Sequence, residues 1–179
     1  MTPIHFCTAC GAPTHQKVPE DDDHERAVCT ACGQIHYLNP KMVVGCIPEW
    51  NGRILMCKRN IEPQKGKWTL PAGFLEDRET VQDGAVRETF EETQARVHII
   101  EPYRLFNIAF VSQVYFMFRA RLVSDHFGPT NESIDVRLFE EAQIPWDEIA
   151  FRVIYQTLAH YFEDRKNCSN FQFKVLDIV

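Results

Sequence analysis

The sequence predicts an α/β protein in which a mixed β-sheet with two helices follows a small cysteine-rich segment. Three observations lead to this fold class: two Cys-x-x-Cys pairs lie near the start, β-branched and aromatic runs follow, and two stretches have helical spacing. With 179 residues, 45% of them hydrophobic, the chain can bury one main core beside a small accessory domain. We expect domains at residues 1–38 and 39–179, because Asn39 and Pro40 are typical of a boundary.

The first segment contains two cysteine pairs, Cys7 with Cys10 and Cys29 with Cys32, with 18 residues between them. Four thiolates at this spacing suit a tetrahedral Zn²⁺ ion, and a glycine after each pair permits the tight turns of a zinc ribbon. Four cysteines leave the zinc no open position, so the site is expected to be structural. Two disulfides are a second interpretation, disfavoured in a reducing compartment, and a redox-active pair is a third.

The second segment begins with a predicted β-hairpin. Residues 42–47 and 53–57 read as strands, and Asn51-Gly52 reads as the turn between them. Cys46 and Cys57 lie in these apolar runs and are expected to be small core residues. Cys168 lies in a polar segment, where its thiol is expected to be free and exposed.

A helix is predicted from Thr80 to about Thr93. Gly84 inside it has two interpretations of equal weight: its missing side chain leaves room for a metal or phosphate beside Glu88, or it allows close packing against a strand. The apolar residues expected on the buried side of the helix are Val81, Val86 and Phe90.

The remaining elements are strands at 97–100, 105–111 and 114–122 and a second helix at 151–162. Residues 131–139 are interpreted as a loop that leads into a turn, and a short terminal strand is expected from the alternation of Phe171, Phe173 and Val175. Strands mixed with two helices fit an α/β/α sandwich around a mixed sheet.

Three glutamates of the first helix suggest metal chemistry. Glu88, Glu91 and Glu92 stand three and four residues apart, so they share one face of the helix and their oxygens are expected to converge. Unpaired like charges at this spacing cost about 0.2–0.5 kcal/mol per pair, which makes a merely solvated acidic face the weaker explanation. A hard divalent cation, Mg²⁺ or Mn²⁺, takes such oxygen ligands together with substrate phosphates and water.

The register around this face is fixed at six positions: Gly73, Glu79, Arg87, Glu88, Glu91 and Glu92. It resembles the signature of the Nudix hydrolases, a glycine, a glutamate after five residues, Arg-Glu after seven more, and then Glu-Glu. All charged positions match. Thr89 stands where that family prefers a larger apolar residue, and Gln94 replaces the glycine that usually ends the helix, which leaves the helix end open.

The resemblance implies the α/β/α sandwich and a hydrolase that cleaves a diphosphate linkage. Such a linkage repels an anionic nucleophile, so cations must bridge its oxygens and acidify the attacking water. The metal ligands implied are Glu88, Glu91, Glu92 and the Ala72 carbonyl. Glu79 and Arg87 would form a supporting ion pair, in which Arg87 is expected to point away from the metal.

Family members often use a further carboxylate from outside the signature as metal ligand or general base. The candidates here are Glu132 and Asp135. We choose Glu132, and the alternative is an exposed loop acid without a catalytic role.

The substrate expected from the resemblance is ADP-ribose and/or FAD. Residues 39–45, 57–60 and 68–73 look closest to the zinc-ribbon Nudix enzymes that cleave these compounds, a group known from plant plastids. The related NADH pyrophosphatases have Ser-Gln followed by a Pro-Trp-Pro-Phe-Pro run. Here Ser112-Gln113 is followed by Val-Tyr-Phe-Met-Phe, which contains no proline, and this disfavours NADH as the substrate. An NADH or NAD-capped RNA pyrophosphatase is therefore the alternative rather than the first choice.

Aromatic and basic residues near the signature are the candidate substrate contacts. Trp68 and Phe74 are chosen to stack a ring, and Lys58 and Arg59 to contact phosphate or ribose. Core packing and a solvated strand end are the corresponding alternatives. The other aromatic residues considered for stacking are Phe106, Phe110 and Tyr115.

The charge balance limits the partners. A net charge of −6 argues against broad attachment to nucleic acid or acidic membranes, and we expect no membrane span or secretory signal, hence a cytoplasmic protein. A non-catalytic ribbon-and-Nudix regulatory module is an alternative of another class. It is disfavoured because residues 1–38 offer only Lys17 and Arg26 as bases against five acids. Family members often form dimers, so a homodimer is left open.

Overall fold

The chain folds into two separate units, Met1–Pro40 and Lys41–Val179. The structure is a computed structural model that describes residues 3–167 and 171–179. Cys168, for which the sequence predicts an exposed thiol, lies outside the described residues.

The first unit is a three-stranded antiparallel sheet in the order β1 (Thr14–Lys17), β2 (Arg26–Cys29) and β3 (Ile35–His36). Gly11 and Gly33 follow the cysteine pairs with φ values of 75° and 74°, a left-handed conformation that glycine adopts without steric cost. Their N–H groups donate to the carbonyls of Cys7 at 2.9 Å and Cys29 at 3.3 Å. The turns expected of a ribbon are therefore present.

The second unit is built on a mixed sheet. Its main strands follow the order β10-β5-β4-β9-β8-β11, with β6 paired to β5 and β7 to β4. The β4/β9 and β8/β11 pairs are parallel and the other pairs are antiparallel. The strands are β4 (Lys41–Trp50), β5 (Arg53–Arg59), β6 (Trp68–Thr69), β7 (Ala72–Phe74), β8 (Val97–Ile108), β9 (Gln113–Leu122), β10 (Ser133–Phe139) and β11 (Lys174–Asp177).

Two helices, α1 (Val81–Thr93) and α2 (Arg152–Lys166), complete this unit, with short 3₁₀ turns at Ala109–Val111, Glu141–Gln143 and Trp146–Glu148. One hydrophobic cluster contains the buried residues of α2, and the other contains Ala85 of α1. Neighbouring β4 residues divide between them, since Cys46 belongs to the α1 cluster and Ile47 to the α2 cluster. The helices therefore cover opposite faces, which confirms the predicted α/β/α sandwich.

The hairpin and the ends of α1 follow their sequence signals. Asn51 and Gly52 have φ values of 49° and 79°, as a two-residue hairpin turn requires. Thr80 caps α1 by accepting the Asp83 N–H at 3.1 Å. The helix ends at Gln94, which takes the left-handed φ of 60° although it is not glycine, and its Nε2 donates to the Pro129 carbonyl at 2.6 Å.

The prediction of the buried face of α1 was wrong for Phe90, which is 46% exposed. Val81 and Val86 are partly buried and pack against the core cluster, as expected. Thr89 is fully buried, and its hydroxyl tolerates this because it donates to the Ala85 carbonyl at 2.8 Å. The buried residues of the helix are Gly84, Ala85, Glu88, Thr89, Glu92 and Thr93, so two of the signature carboxylates lie on the face that packs inward.

Other element predictions need correction. The expected strands at 97–100 and 105–111 are one strand, β8, interrupted by register shifts, and residues 109–111 form a 3₁₀ turn. Residues 133–139, expected to be a loop, form β10, where a bulge between Ser133 and Asp135 breaks the alternation that identifies a strand. Helix α2 continues to Lys166, and the terminal strand covers Lys174–Asp177 only.

Cys46 and Cys57 are buried core residues, as predicted. Across residues 3–167 and 171–179, no helix is both long and apolar enough to cross a membrane.

Candidate active site

The site is built where β7 meets the buried face of α1. Gly73 in β7 lies directly against Glu88, so a Cβ at position 73 would overlap the Glu88 carboxylate. A Cβ at Gly84 would instead come within 2.8 Å of Glu79 Oε2 and 3.0 Å of Val44 Cγ2 on β4. Gly84 is therefore required for close packing, and the interpretation that it makes room beside Glu88 was wrong. Gly73 leaves the space that the Glu88 carboxylate itself occupies.

Arg87 connects the acidic residues of the signature. Its Nε and Nη2 donate to Glu79 at 2.8 and 2.9 Å, which is the expected ion pair. Its Nη1 also donates to Glu88 Oε1 at 2.7 Å and Glu91 Oε2 at 2.8 Å, and Nη2 to the Phe74 carbonyl at 3.1 Å. Arg87 was expected to point away from the metal, but its Nη1 contacts two of the predicted metal ligands, because its side chain reaches the residue one turn ahead.

The three signature glutamates are held by different partners. Arg87 binds Glu88 and Glu91, whereas Glu92 Oε2 accepts the Ala72 N–H at 3.0 Å and faces the Cys57 thiol at 3.6 Å. In the part of the chain that the structure describes, their oxygens do not form one group within 4.8 Å, so the predicted convergence of all three is not present.

Burial and like charge perturb two of these acids. Glu92 is 5% exposed, and burial raises its pKa to about 7 against the opposing hydrogen bond from the Ala72 N–H. Burial also raises the pKa of Glu88, with Arg87 opposing and the charges of Glu91 and Glu132 adding to the rise. Burial and like charge make the ionised forms of these carboxylates costly, and a bound cation would offset that cost.

These residues line one cleft of about 740 Å³. Glu132 lies in it, with its carbonyl accepting the Asn60 N–H at 2.8 Å and its N–H donating to Thr130 Oγ1 at 3.1 Å. Asp135 is not among the described residues that line the cleft, and it pairs with Arg137 at 2.5 Å. The cleft contains Glu88, Glu91, Glu92, Arg87, Ala72 and Gly73.

Two of the four predicted substrate contacts lie in this cleft. Phe74, 49% exposed, and Arg59 both line it. Trp68 does not: it is 5% exposed and packs edge-to-face on Phe139 with ring centroids 4.8 Å apart. Lys58 lies over the Trp68 ring and pairs with Glu148 at 3.8 Å. Both assignments were wrong, because adjacent strand residues point to opposite faces.

The ribbon unit contains the second candidate metal site. The Sγ atoms of its four cysteines all lie within 4.8 Å of one another. The Sγ–Sγ separations are 3.7 Å for Cys7–Cys32, 3.5 Å for Cys10–Cys29 and 3.6 Å for Cys10–Cys32. A tetrahedral ion with Zn–S bonds of about 2.3 Å requires sulfur separations of about 3.8 Å, so the group fits zinc. The thiols are free, which is contrary to the disulfide interpretation.

Backbone amides support this cluster. The Ala31 and Cys32 N–H groups each donate to Cys29 Sγ at 3.4 Å, and hydrogen bonds from these groups lower the pKa of the Cys29 thiol to about 6. The Ala9 N–H donates in the same way to Cys7 Sγ at 3.4 Å. Such amides favour the thiolate form that a metal ligand must adopt.

Comparison with protein-family models identifies both units. The zinc-ribbon family described as Nudix N-terminal matches residues 5–38, and the NUDIX domain matches residues 39–159. The chain belongs to the Nudix hydrolase family.

The curated relatives of this Nudix chain include an ADP-ribose pyrophosphatase and NAD-capped RNA hydrolases. It is 47% identical over 57 residues to the ADP-ribose pyrophosphatase of Methanocaldococcus jannaschii, a match that covers 32% of the chain and 34% of that protein. It is 30% identical over 144 residues to the NAD-capped RNA hydrolase NudC of Stutzerimonas stutzeri, which covers 78% of the chain and 49% of that protein. The chain thus spans about a third to a half of these two curated relatives.

A solved NUDIX hydrolase from Nitrosomonas europaea is similar over nearly the whole chain. The two are 49% identical with a TM-score of 0.94, and the match covers 98% of this chain and 99% of that one. Together with the family models, this likeness confirms the predicted ribbon followed by a Nudix fold.

Several cleft residues of this Nudix domain were missed by sequence reasoning. Phe110 and Tyr115 were considered only as general stacking candidates, and Phe151 and Ile178 were not singled out, yet all four line the cleft. Phe106, another stacking candidate, is a fully buried core residue. The sequence offered no signal that separates Phe110 from Phe106, because residues 105–111 read as one strand; the structure places Phe110 in a 3₁₀ turn with 71% of its side chain exposed.

Proposed function

We propose that this protein is a divalent-metal-dependent pyrophosphatase that cleaves the diphosphate linkage of a nucleoside diphosphate derivative, ADP-ribose and/or FAD. One observation carries the proposal: the signature glutamates of α1 and Glu132 from outside the signature line the same cleft. A solvated acidic helix face would not place two of its glutamates, Glu88 and Glu92, at 9% and 5% exposure.

The donor set fits Mg²⁺ or Mn²⁺. Both are hard cations, and Mg²⁺ is commonly held by one or two carboxylates together with substrate phosphates and water, so three converged carboxylates are not required. We assign the ligands to Glu88, Glu91 and Glu92, with the Ala72 carbonyl as a further oxygen. A bound divalent cation would offset the charge of the diphosphate and make an attacking water more acidic.

The protein's own groups position the reaction. Arg87 holds Glu88 and Glu91 through Nη1 and is itself fixed by Glu79. Arg87 is thus a positioning residue. Glu132, whose charge already acts on Glu88 across the cleft, supplies the carboxylate outside the signature.

Arg59 is the proposed phosphate contact. Among the described residues, three arginines line the cleft, but Arg87 is bound by carboxylates, and Arg152 Nη1 donates to the Val179 carbonyl at 2.8 Å. Within the same residues, Arg59 hydrogen-bonds through Nε alone, which donates to the Pro63 carbonyl at 2.8 Å. Its terminal nitrogens can therefore bind phosphate oxygens in the paired geometry that guanidinium favours.

The test is a substrate panel with Mg²⁺ or Mn²⁺ that compares ADP-ribose, FAD, NADH and a nucleoside triphosphate by product analysis. AMP released from ADP-ribose or FAD would support the proposal. Turnover of the triphosphate alone would refute it, and absence of all turnover would favour the non-catalytic module. Glu88→Gln is the control for a contaminating activity.

A second candidate is hydrolysis of NADH or NAD-capped RNA. The observation that favours it is the match to NudC proteins, which extends over 78% of the chain in one case. The missing proline run after Gln113 disfavours it. A faster turnover of NADH than of ADP-ribose in the panel would select this candidate.

For the ribbon we propose zinc as the bound ion. The sulfur separations of 3.5–3.7 Å support it. Metal analysis of the purified protein should find one zinc per chain.

A further inference from the structure

The buried side of Glu92 faces strand β5. In this strand, Cys57 belongs to the α1 cluster, whereas its neighbour Met56 belongs to the α2 cluster. The alternation turns the Cys57 side chain toward the helix that carries Glu92. Cys57 is 1% exposed, and its backbone is paired with Thr69 of β6 and with Val136 of β10, so its place in the sheet is fixed from both sides.

The Cys57 thiol has a charged neighbour. Its Sγ lies 3.6 Å from Glu92 Oε2 and 3.8 Å from the Thr69 carbonyl oxygen, and both of these atoms accept hydrogen bonds. A thiolate at this buried position would lie against a second anion, so the proton stays on the sulfur. The thiol has one proton to donate, and the carboxylate is the favoured acceptor, because a charged acceptor forms the stronger hydrogen bond.

Among the described residues, both donors to the Glu92 carboxylate act on the same oxygen. The Ala72 N–H donates to Oε2 at 3.0 Å, and the Cys57 thiol approaches that atom from β5. Two donors on Oε2 set the rotation of the carboxylate and leave Oε1 for a cation. Ala72 is also the residue whose carbonyl we assign to the metal, so this arrangement fixes Glu92 relative to a neighbouring ligand.

A second buried thiol provides a comparison. Cys46 is fully buried in the same α1 cluster, but its thiol donates to the Ala85 carbonyl at 3.4 Å. Its acceptor is thus an uncharged backbone group of α1. Contact with a signature carboxylate distinguishes Cys57 from an equally buried cysteine of the same cluster.

We propose that Cys57 is a positioning residue of the metal site, whose thiol holds Glu92 Oε2 and so presents the other carboxylate oxygen to a divalent cation. The inference rests on the proposed function, which assigns Glu92 as a metal ligand. Removal of a hydrogen-bond partner of a ligating group typically weakens metal binding by about 10- to 100-fold.

The experiment measures Mn²⁺ binding to the full chain, purified in the presence of zinc and without nucleotide, from the electron paramagnetic resonance signal of free Mn²⁺. Cys57→Ala removes the donor and Cys57→Ser keeps one, while Cys46→Ala is the matched control for loss of a buried thiol. Glu92→Gln shows how much of the binding depends on this carboxylate. Urea unfolding midpoints check the fold, and Cys57→Val takes the place of an alanine variant that does not fold.

Cys57→Ala is expected to weaken Mn²⁺ binding by at least about ten-fold, whereas Cys57→Ser and Cys46→Ala bind nearly as the wild type does. The inference is overturned if Cys57→Ala binds Mn²⁺ unchanged, or if Cys57→Ser is weakened as much as Cys57→Ala. Equal weakening in Cys46→Ala, or Mn²⁺ binding that Glu92→Gln leaves unaltered, would also overturn it.

This inference and the proposed function fail separately. Mn²⁺ binding that responds to Cys57, in a protein that hydrolyses none of the panel compounds, would refute the proposed function alone. Hydrolysis of ADP-ribose or FAD, with unchanged Mn²⁺ affinity in Cys57→Ala, would refute the inference alone. A wild type that binds no Mn²⁺ and hydrolyses nothing would refute both.

Discussion

Replacing Glu92 by glutamine is expected to stabilise the metal-free protein at alkaline pH while abolishing its activity. Burial raises the pKa of Glu92 from 4.5 to about 7, so the folded protein holds this proton more tightly than the unfolded chain does. The stability that comes from the protonated form is complete below about pH 4.5 and is lost as the pH rises through 7. A glutamine at this position has no proton to lose.

The magnitude follows from the size of the pKa difference. A rise of about 2.5, at 1.36 kcal/mol for each pKa unit, corresponds to about 3 kcal/mol. Above pH 8, Glu92→Gln should therefore have a free energy of unfolding about 3 kcal/mol higher than the wild type. At pH 4.5 the two proteins should differ by less than about 0.5 kcal/mol.

Urea unfolding followed by tryptophan fluorescence, without added divalent metal, measures this difference. All three tryptophans, Trp50, Trp68 and Trp146, lie in the second unit, so the signal reports the unfolding of that unit. Glu91→Gln is the matched control, because its side chain is 53% exposed and should change stability by less than about 1 kcal/mol. A stability difference between wild type and Glu92→Gln that does not vary with pH would refute the reasoning.

Three further predictions concern the two proposed metal sites. Gly73→Ala should lower turnover by about 100-fold, because the added Cβ displaces the Glu88 carboxylate. Steady-state kinetics measure the rate and circular dichroism checks the fold; a folded variant with an unchanged rate would contradict the prediction. Glu132→Gln should lower turnover by about 10²- to 10⁴-fold with an unaltered unfolding midpoint, and a normal rate would retire Glu132 as a catalytic residue. Cys29→Ser should lose bound zinc and make the ribbon sensitive to protease; a variant with normal zinc content and protease resistance would contradict the structural role of the metal.

Local signals in the sequence were sufficient for the elements whose cause is local. The Asn51-Gly52 turn and the Thr80 cap each act through neighbours in sequence, and the structure has them as expected. The four cysteines come together from two distant pairs, but the spacing within and between the pairs is itself typical of a metal site. The register of the signature also predicted that its glutamates share one face of α1, and in the structure they line one cleft. The register did not predict the direction of each carboxylate. Arg87 binds Glu88 and Glu91, whereas the Ala72 amide binds Glu92.

Contacts between distant segments could not be predicted in this way. Trp68 is close in sequence to the signature, but its ring packs against Phe139 of β10. The sequence did not predict β10 as a strand, because the bulge between Ser133 and Asp135 breaks its alternation. Phe110 is distant in sequence from the signature and still lines the cleft, because the β8–β9 turn returns to the same end of the sheet. Side-chain direction in a sheet depends on register, which a single sequence specifies weakly where bulges occur.

The end of α1 has a consequence for the spacing of the acids. Gln94 donates to the Pro129 carbonyl, the Gly128 N–H donates to the Thr93 carbonyl at 2.9 Å, and the segment then leads to Glu132. Glycine would adopt the backbone conformation at position 94 more easily, yet it has no amide to fasten the two chain segments together. A glycine there would relieve the helix end and leave the distance between the Glu92 and Glu132 backbones less tightly fixed.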